Sequence, residues 1–168
     1  MSDSSKFKGV GKLTQLVEEL ERQKETRVDA CIDTRQLIVS ETDAKFLKLQ
    51  PLEGTQSCEF IETDGVPFRL KALRQIGRKM TPKVPSKFMT QLTEEQPRIG
   101  ADLLNQLMSE SPKRLFVRQL DNKVRAVLSD SYRVIDNYDL VFSALECAKE
   151  VDAWVASCTM SEDRMNIK

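Results

Sequence analysis

The sequence predicts an α+β fold, an antiparallel sheet with helices packed on one face. Three observations carry that expectation. Apolar residues alternate at the strand period between Arg27 and Ser40. They recur at the helical period around Leu16, Ile76 and Leu104. Two apolar runs flank Asp121-Asn122, a dipeptide suited to a tight hairpin turn. A chain of 168 residues can bury a core without staples. One domain is expected over residues 10–168, after a disordered tail over residues 1–9.

Apolar residues make up 40% of the chain and charged residues 31%, with zero net charge, an ordinary soluble balance. Partners are therefore legible only in how the charge is distributed. Cys31, Cys58, Cys147 and Cys158 are widely spaced and form no Cys-x-x-Cys pair, so buried reduced thiols are expected rather than a zinc site. The chain has no histidine. That excludes Ser-His-Asp and Cys-His arrangements and any histidine general base. The start, Met-Ser-Asp-Ser-Ser-Lys, lacks the apolar core of a signal peptide, and no apolar run reaches membrane-span length. A cytoplasmic protein without membrane partner or cofactor is expected.

The elements follow in order. Leu13, Leu16, Val17 and Leu20 make an amphipathic helix of about four turns, packed on the domain or serving as a docking arm. Val28, Ala30 and Ile32 alternate, then Leu37, Ile38 and Val39 continue, with a turn or bulge at Asp33-Thr34. Phe46, Leu47 and Leu49 predict a second strand ending at Pro51. Cys58, Phe60 and Ile61 predict a third, closed by Asp64-Gly65. From Gly65 through Thr93 there is no acidic residue, yet the run holds Arg69, Lys71, Arg74, Arg78, Lys79, Lys83 and Lys87. Pro67 suits a first helical turn. On that helix Ala72, Leu73, Ile76 and Met80 form one stripe, and Lys71, Arg74 and Arg78 form a basic ridge on the other side. Thr81-Pro82 ends it. Ser86 to Leu92 is a short helix, and Thr93-Glu94-Glu95-Gln96 a capping box for a helix running to about Ser109, stopped by Ser111-Pro112.

Lys113 to Leu120 and Lys123 to Ser129 form the hairpin. A two-residue turn at Asp121-Asn122 pairs Leu120 with Lys123, Arg118 with Arg125, Phe116 with Val127, and Arg114 with Ser129. The other face pairs Gln119 with Val124, Val117 with Ala126, and Leu115 with Leu128, and is the expected core face. Like charges directly opposite are destabilising, by up to about 1 kcal/mol. Something anionic is then expected between Arg118 and Arg125. It is a phosphate backbone, or an internal carboxylate such as Asp130, Asp136 or Asp139. Beyond the hairpin, Asp136 or Asn137 caps a helix containing Leu140, Val141, Leu145 and Ala148. Ala153 to Cys158 predicts another strand, and Met165 to Lys168 an edge strand.

The run Val117-Arg118-Gln119-Leu120, followed by Arg125-Ala126-Val127-Leu128-Ser129-Asp130-Ser131-Tyr132-Arg133-Val134-Ile135-Asp136-Asn137, resembles the signature of the phage/plasmid-like proteins catalogued as domain of unknown function 932. Asp33-Thr34-Arg35-Gln36-Leu37, Leu73-Arg74-Gln75-Ile76 and Leu103-Leu104-Asn105 are similar to that family too. The resemblance runs from about Asp33 onward and covers the family's N-terminal half, which implies a natural short form or a fragment. It implies a setting on phages, plasmids and prophages, and brings no catalytic residues.

The expected function is therefore phage- or plasmid-type DNA metabolism, with single-stranded DNA bound through a basic face in recombination or annealing. Arg118 and Arg125 are the expected phosphate contacts. Arg114, Lys123, Lys71, Arg74 and Arg78 extend the track, and Phe116 stacks a base. The alternative is a non-catalytic interaction protein of a mobile element that binds a host protein. Oligomeric state, a homo-oligomer included, stays open. A metal-dependent nuclease using Asp130 and Asp136 ranks third, because Ser129, Asp130 and Asp136 more commonly build turns and caps.

Overall fold

A computed structural model describes residues 13–42, 44, 46–53, 61, 64–160 and 165–167. The expected tail over residues 1–9 lies outside them, as do Cys58 and Phe60 of the expected third strand. The residues expected to form one domain group into two compact units, Arg27–Tyr132 and Met1–Thr26 with Arg133–Lys168. The architecture is α+β, with antiparallel sheets and five α-helices among the described residues.

In the Arg27–Tyr132 unit, strand β1 (Val28–Asp33) leads through a single 3-10 turn (Thr34–Gln36) into β2 (Leu37–Glu41). The interruption falls where Asp33-Thr34 placed it. The Asp33 carboxylate accepts the Arg35 backbone N–H at 2.9 Å and caps the turn. β2 pairs with β3 (Leu47–Pro51), and β3 with the two-residue β4 (Val66–Pro67). Pro67 thus lies in a strand, which corrects its expected place in a first helical turn. β4 is an edge strand, where a missing N–H is tolerated. Gly65, at φ +82°, swings the chain into β4, and a Cβ there would collide with the Gln50 side chain.

Helices α2 (Leu70–Lys79), α3 (Ser86–Glu95) and α4 (Pro97–Glu110) follow. Their expected stripes face the core: Ala72, Leu73, Ile76 and Met80 at α2 are buried, and of Leu103, Leu104, Leu107 and Met108 in α4 all but the half-buried Leu103 are. The capping box is corrected. Thr93 lies inside α3, its hydroxyl donating to the carbonyls of Met89 and Thr90 at 2.9 Å each. Pro97 opens α4 instead, since its absent N–H would have no helical partner.

β5 (Arg114–Leu120) and β6 (Lys123–Ser129) complete a sheet of order β1-β5-β6. Asp121 and Asn122 take φ values of 52° and 53°, as a type I′ turn requires. Residues 68 and 69 join the two sheets, because the Phe68 N–H donates to Leu47 and the Arg69 N–H to Val124, each at 2.9 Å. Ile32, Val39, Leu49, Ile76, Leu104 and Val117 belong to the core these layers enclose. A helix side chain meets one edge strand of each three-stranded sheet. Asn105 of α4 accepts the Val39 N–H and donates to the Val39 carbonyl, both at 2.8 Å, as a neighbouring strand would. Gln75 of α2 accepts the Val127 N–H at 2.9 Å.

The other unit contains α1 (Leu13–Thr26), α5 (Asn137–Glu150), β7 (Cys158–Met160) and β8 (Met165–Ile167), the last two paired antiparallel. Leu16, Leu20, Val141, Cys158 and Met160 are buried together. Asp136 holds the N-cap position of α5, as expected, but makes no side-chain cap hydrogen bond there. The strand expected from Ala153 starts only at Cys158. Ala153 is taken up by the helix end, its N–H bonding to Ala148 at 2.9 Å while Asp152 sits at φ +53° and bonds to Lys149. That is a Schellman termination, which holds residues 152 and 153 out of strand geometry.

Candidate nucleic-acid interface

The expected basic surfaces lie on two elements, the β5–β6 hairpin and helix α2. Near the turn the pairing is as predicted, Leu120 with Lys123 and Gln119 with Val124. Between Arg118 and Gln119 the register shifts by one residue. Arg118 then pairs with Ala126, Val117 with Val127, Phe116 with Leu128 and Leu115 with Ser129. The predicted opposition of Arg118 and Arg125 is therefore corrected, and so are the Phe116–Val127, Val117–Ala126, Leu115–Leu128 and Arg114–Ser129 pairs. The cause is burial. The β-bulge turns Val127 inward beside Val117, where Ala126 would otherwise stand, and Val124 and Val127 are both fully buried.

Arg118 instead faces Asp29 across β1. Its guanidinium donates twice to the Asp29 carboxylate, at 2.9 and 2.8 Å, in a fork-to-fork pair. Arg27 adds a second cation 3.1 Å from the same carboxylate. The anion that faces Arg118 is Asp29, a carboxylate of β1 that was not among the expected candidates. Phe116 is 7% exposed. Its ring lies 5.7 Å from that of Tyr132, and the Arg118 guanidinium stands 5.8 Å from its centre. A base has no face of Phe116 to stack on. Arg125 is half-buried at the bulge. Arg114 is exposed and faces Asp33, and Lys123 is exposed beside the turn.

The second surface keeps its expected form. Lys71, Arg74 and Arg78 are all exposed on α2, opposite its buried stripe. The Arg74 Nε donates to the Thr90 hydroxyl at 2.7 Å, which fixes this guanidinium at the seam between α2 and α3. Lys87 is one helical turn before Thr90 and is exposed, as is Lys83 in the connecting loop. Phe88, in the same acid-free run, is 51% exposed. Phe88 is not among the sequence-predicted site residues, and its signal is only that it follows Lys87 outside the buried positions of α3.

The two surfaces do not form one track. α2 packs its apolar stripe on the sheet face that carries Leu115, Val117 and Val127. Arg114, Arg118 and Lys123 leave β5 and β6 from the opposite face, as strand alternation requires. The α2 ridge and the hairpin cations therefore lie on opposite sides of this layered unit.

The Ser129-Asp130-Ser131 segment is a turn, with the Tyr132 N–H bonded to the Ser129 carbonyl at 3.0 Å. Among the described residues no group of three His, Cys, Asp or Glu is placed to hold a metal ion. Cys158 is buried as expected, but Cys31 and Cys147 are exposed free thiols. No described helix is long and apolar enough to cross a membrane. No family model, curated protein or solved structure matches this chain.

Proposed function

We propose that the protein binds single-stranded nucleic acid through the basic ridge of α2 and its continuation at the start of α3. One observation carries this reading: Lys71, Arg74 and Arg78 share an exposed face within a run that has no carboxylate from Gly65 to Thr93. Phosphates meeting that face encounter no side-chain anion from the run. The ridge belongs to a helix anchored by its other face, so the cations are presented on a rigid element. Arg118 leaves the track, because its guanidinium is occupied by Asp29. Phe116 leaves it with its buried ring. Arg114 and Lys123 are a separate, smaller basic surface. The resemblance of Arg125 to Asn137 to a phage and plasmid family supports a setting in mobile-element DNA metabolism.

Counterion release gives the test. Binding of a labelled oligonucleotide is followed by fluorescence anisotropy over a salt series. Each phosphate contact to a single strand contributes about 0.7 to the slope of log affinity against log salt. Replacing Lys71, Arg74 and Arg78 together by glutamine should lower the slope by about 2. Arg118→Met should leave it unchanged. Wild-type protein that shows no salt-sensitive binding rules the proposal out.

A second reading, a module that binds a host protein, is favoured by the Arg133–Lys168 segment. Trp154 is 83% exposed, and a groove of about 330 Å³ runs between Leu13, Leu145, Ala148 and Val155 beside it. A protein band retained from nuclease-treated lysate and lost with Trp154→Ala supports this second reading.

A further inference from the structure

Resting on the reading that the α2 ridge binds nucleic acid, we infer that Phe88 is the residue that selects single strands, by stacking an unpaired base beside the phosphates held at Arg74 and Lys87. Scattered exposed apolar residues are common and need no explanation. Phe88 is set apart as an exposed aromatic ring inside the acid-free run that carries the ridge. It is 51% exposed, it follows Lys87, and Lys83 stands in the loop before α3. Side chains of a helix lean toward its N-terminus, so the ring covers the turn nearest Pro85 and Lys83.

The geometry suits a strand that crosses α3. Arg74 is fixed to Thr90 on the α2-facing flank of α3. Lys87 lies one turn before Thr90 on the exposed arc, and Phe88 lies further round the same arc. An α-helix with its side chains is about 10 Å across. A backbone held at Arg74 and Lys87 therefore brings a base within reach of the Phe88 ring. Only an unpaired base can use it, because a duplex keeps both base faces inside its own stack. Stacking on an aromatic side chain is worth about 1–3 kcal/mol per base and tolerates any sequence. This assignment gives the site a preference for single over double strands and none among sequences. It also replaces Phe116, whose buried ring cannot serve.

The experiment compares full-length wild type, Phe88→Ala and Phe88→Trp, each against a labelled oligothymidylate and a duplex of the same length, over a salt series. Phe88→Ala should bind the single strand at least about fivefold more weakly, corresponding to the low end of the stacking range. Its duplex affinity should change less than twofold and its salt slope not at all, because no cation is lost. Phe88→Trp should restore or exceed wild-type single-strand affinity. Equal loss on both substrates, or unchanged single-strand affinity in Phe88→Ala, overturns the inference and leaves the α2 reading standing. Wild-type protein that binds neither substrate in a salt-sensitive way removes the α2 reading itself.

Discussion

Asp29 decides what Arg118 does. A guanidinium that gives both arms to one carboxylate has little left for a phosphate, and this pair is largely shielded from water, at 16% and 17% side-chain exposure. Removing one partner leaves the other charged and partly buried. Asp29→Ala should therefore destabilise the fold by about 2 kcal/mol in urea unfolding. Replacing both partners by apolar residues, Asp29→Leu with Arg118→Met, should cost less than the Asp29 change alone. If the double variant is as unstable as the sum of the single ones, the two residues are not coupled. Asp33 gives the pH counterpart. The hydrogen-bonded Arg35 guanidinium, with the Arg35 backbone N–H, holds its carboxyl at about 2, below its ordinary 3.8. A lowered folded-state value stabilises above the unfolded value, and the contribution is lost as pH falls from about 4 through 2. Asp33→Asn should thus be slightly less stable than wild type at pH 6, and this difference should shrink at pH 2.5. Both carboxylates stand in the sequence within the first strand, but nothing local shows which arginine lies across from Asp29. That pairing joins residues 29 and 118 through the sheet.

At the scale of elements, the hairpin separates what was legible from what was not. Asp121-Asn122 announced its turn because few residues accept positive φ, and the two pairs nearest the turn followed from it. The bulge beyond them was invisible, because it depends on α2. Val127 turns inward and its N–H meets Gln75 of α2, residues far apart in the chain. The stripes of α1, α2 and α4 were readable because helical periodicity repeats over several turns. Thr93 was misread because the same short pattern can close one helix or open the next, and Pro97 settled it. The fragments Asp33 to Leu37, Leu73 to Ile76 and Leu103 to Asn105 contain Thr34, Gln75 and Asn105, all with structural work. Thr34 receives the Lys113 N–H at 2.9 Å, and Gln75 and Asn105 each bond to an edge strand. Asn105→Ala should leave the Val39 N–H and carbonyl without their protein partner, at a cost of about 2 kcal/mol by urea unfolding. Wild-type stability in that variant would mean that water replaces the amide fully.

For the whole molecule, charge distribution was the feature best read in advance. The acid-free run from Gly65 to Thr93 is plain in the sequence, and its ridge is exposed as expected. What the sequence concealed is layering. Cations of one hairpin and one helix were grouped by charge, yet the sheet lies between Lys71, Arg74 and Arg78 on one side and Arg114, Arg118 and Lys123 on the other. Strand alternation and the packing of α2 fix that separation, and both depend on the finished fold. In the proposed function, nucleic acid meets the α2 side. Lysine acetylation of the full chain, read by mass spectrometry with and without saturating oligothymidylate, tests it most directly. Lys71 and Lys87 should lose reactivity, more so at low salt, while Lys123 stays as reactive as before. Unchanged reactivity at Lys71 and Lys87, or protection confined to Lys123, would contradict it.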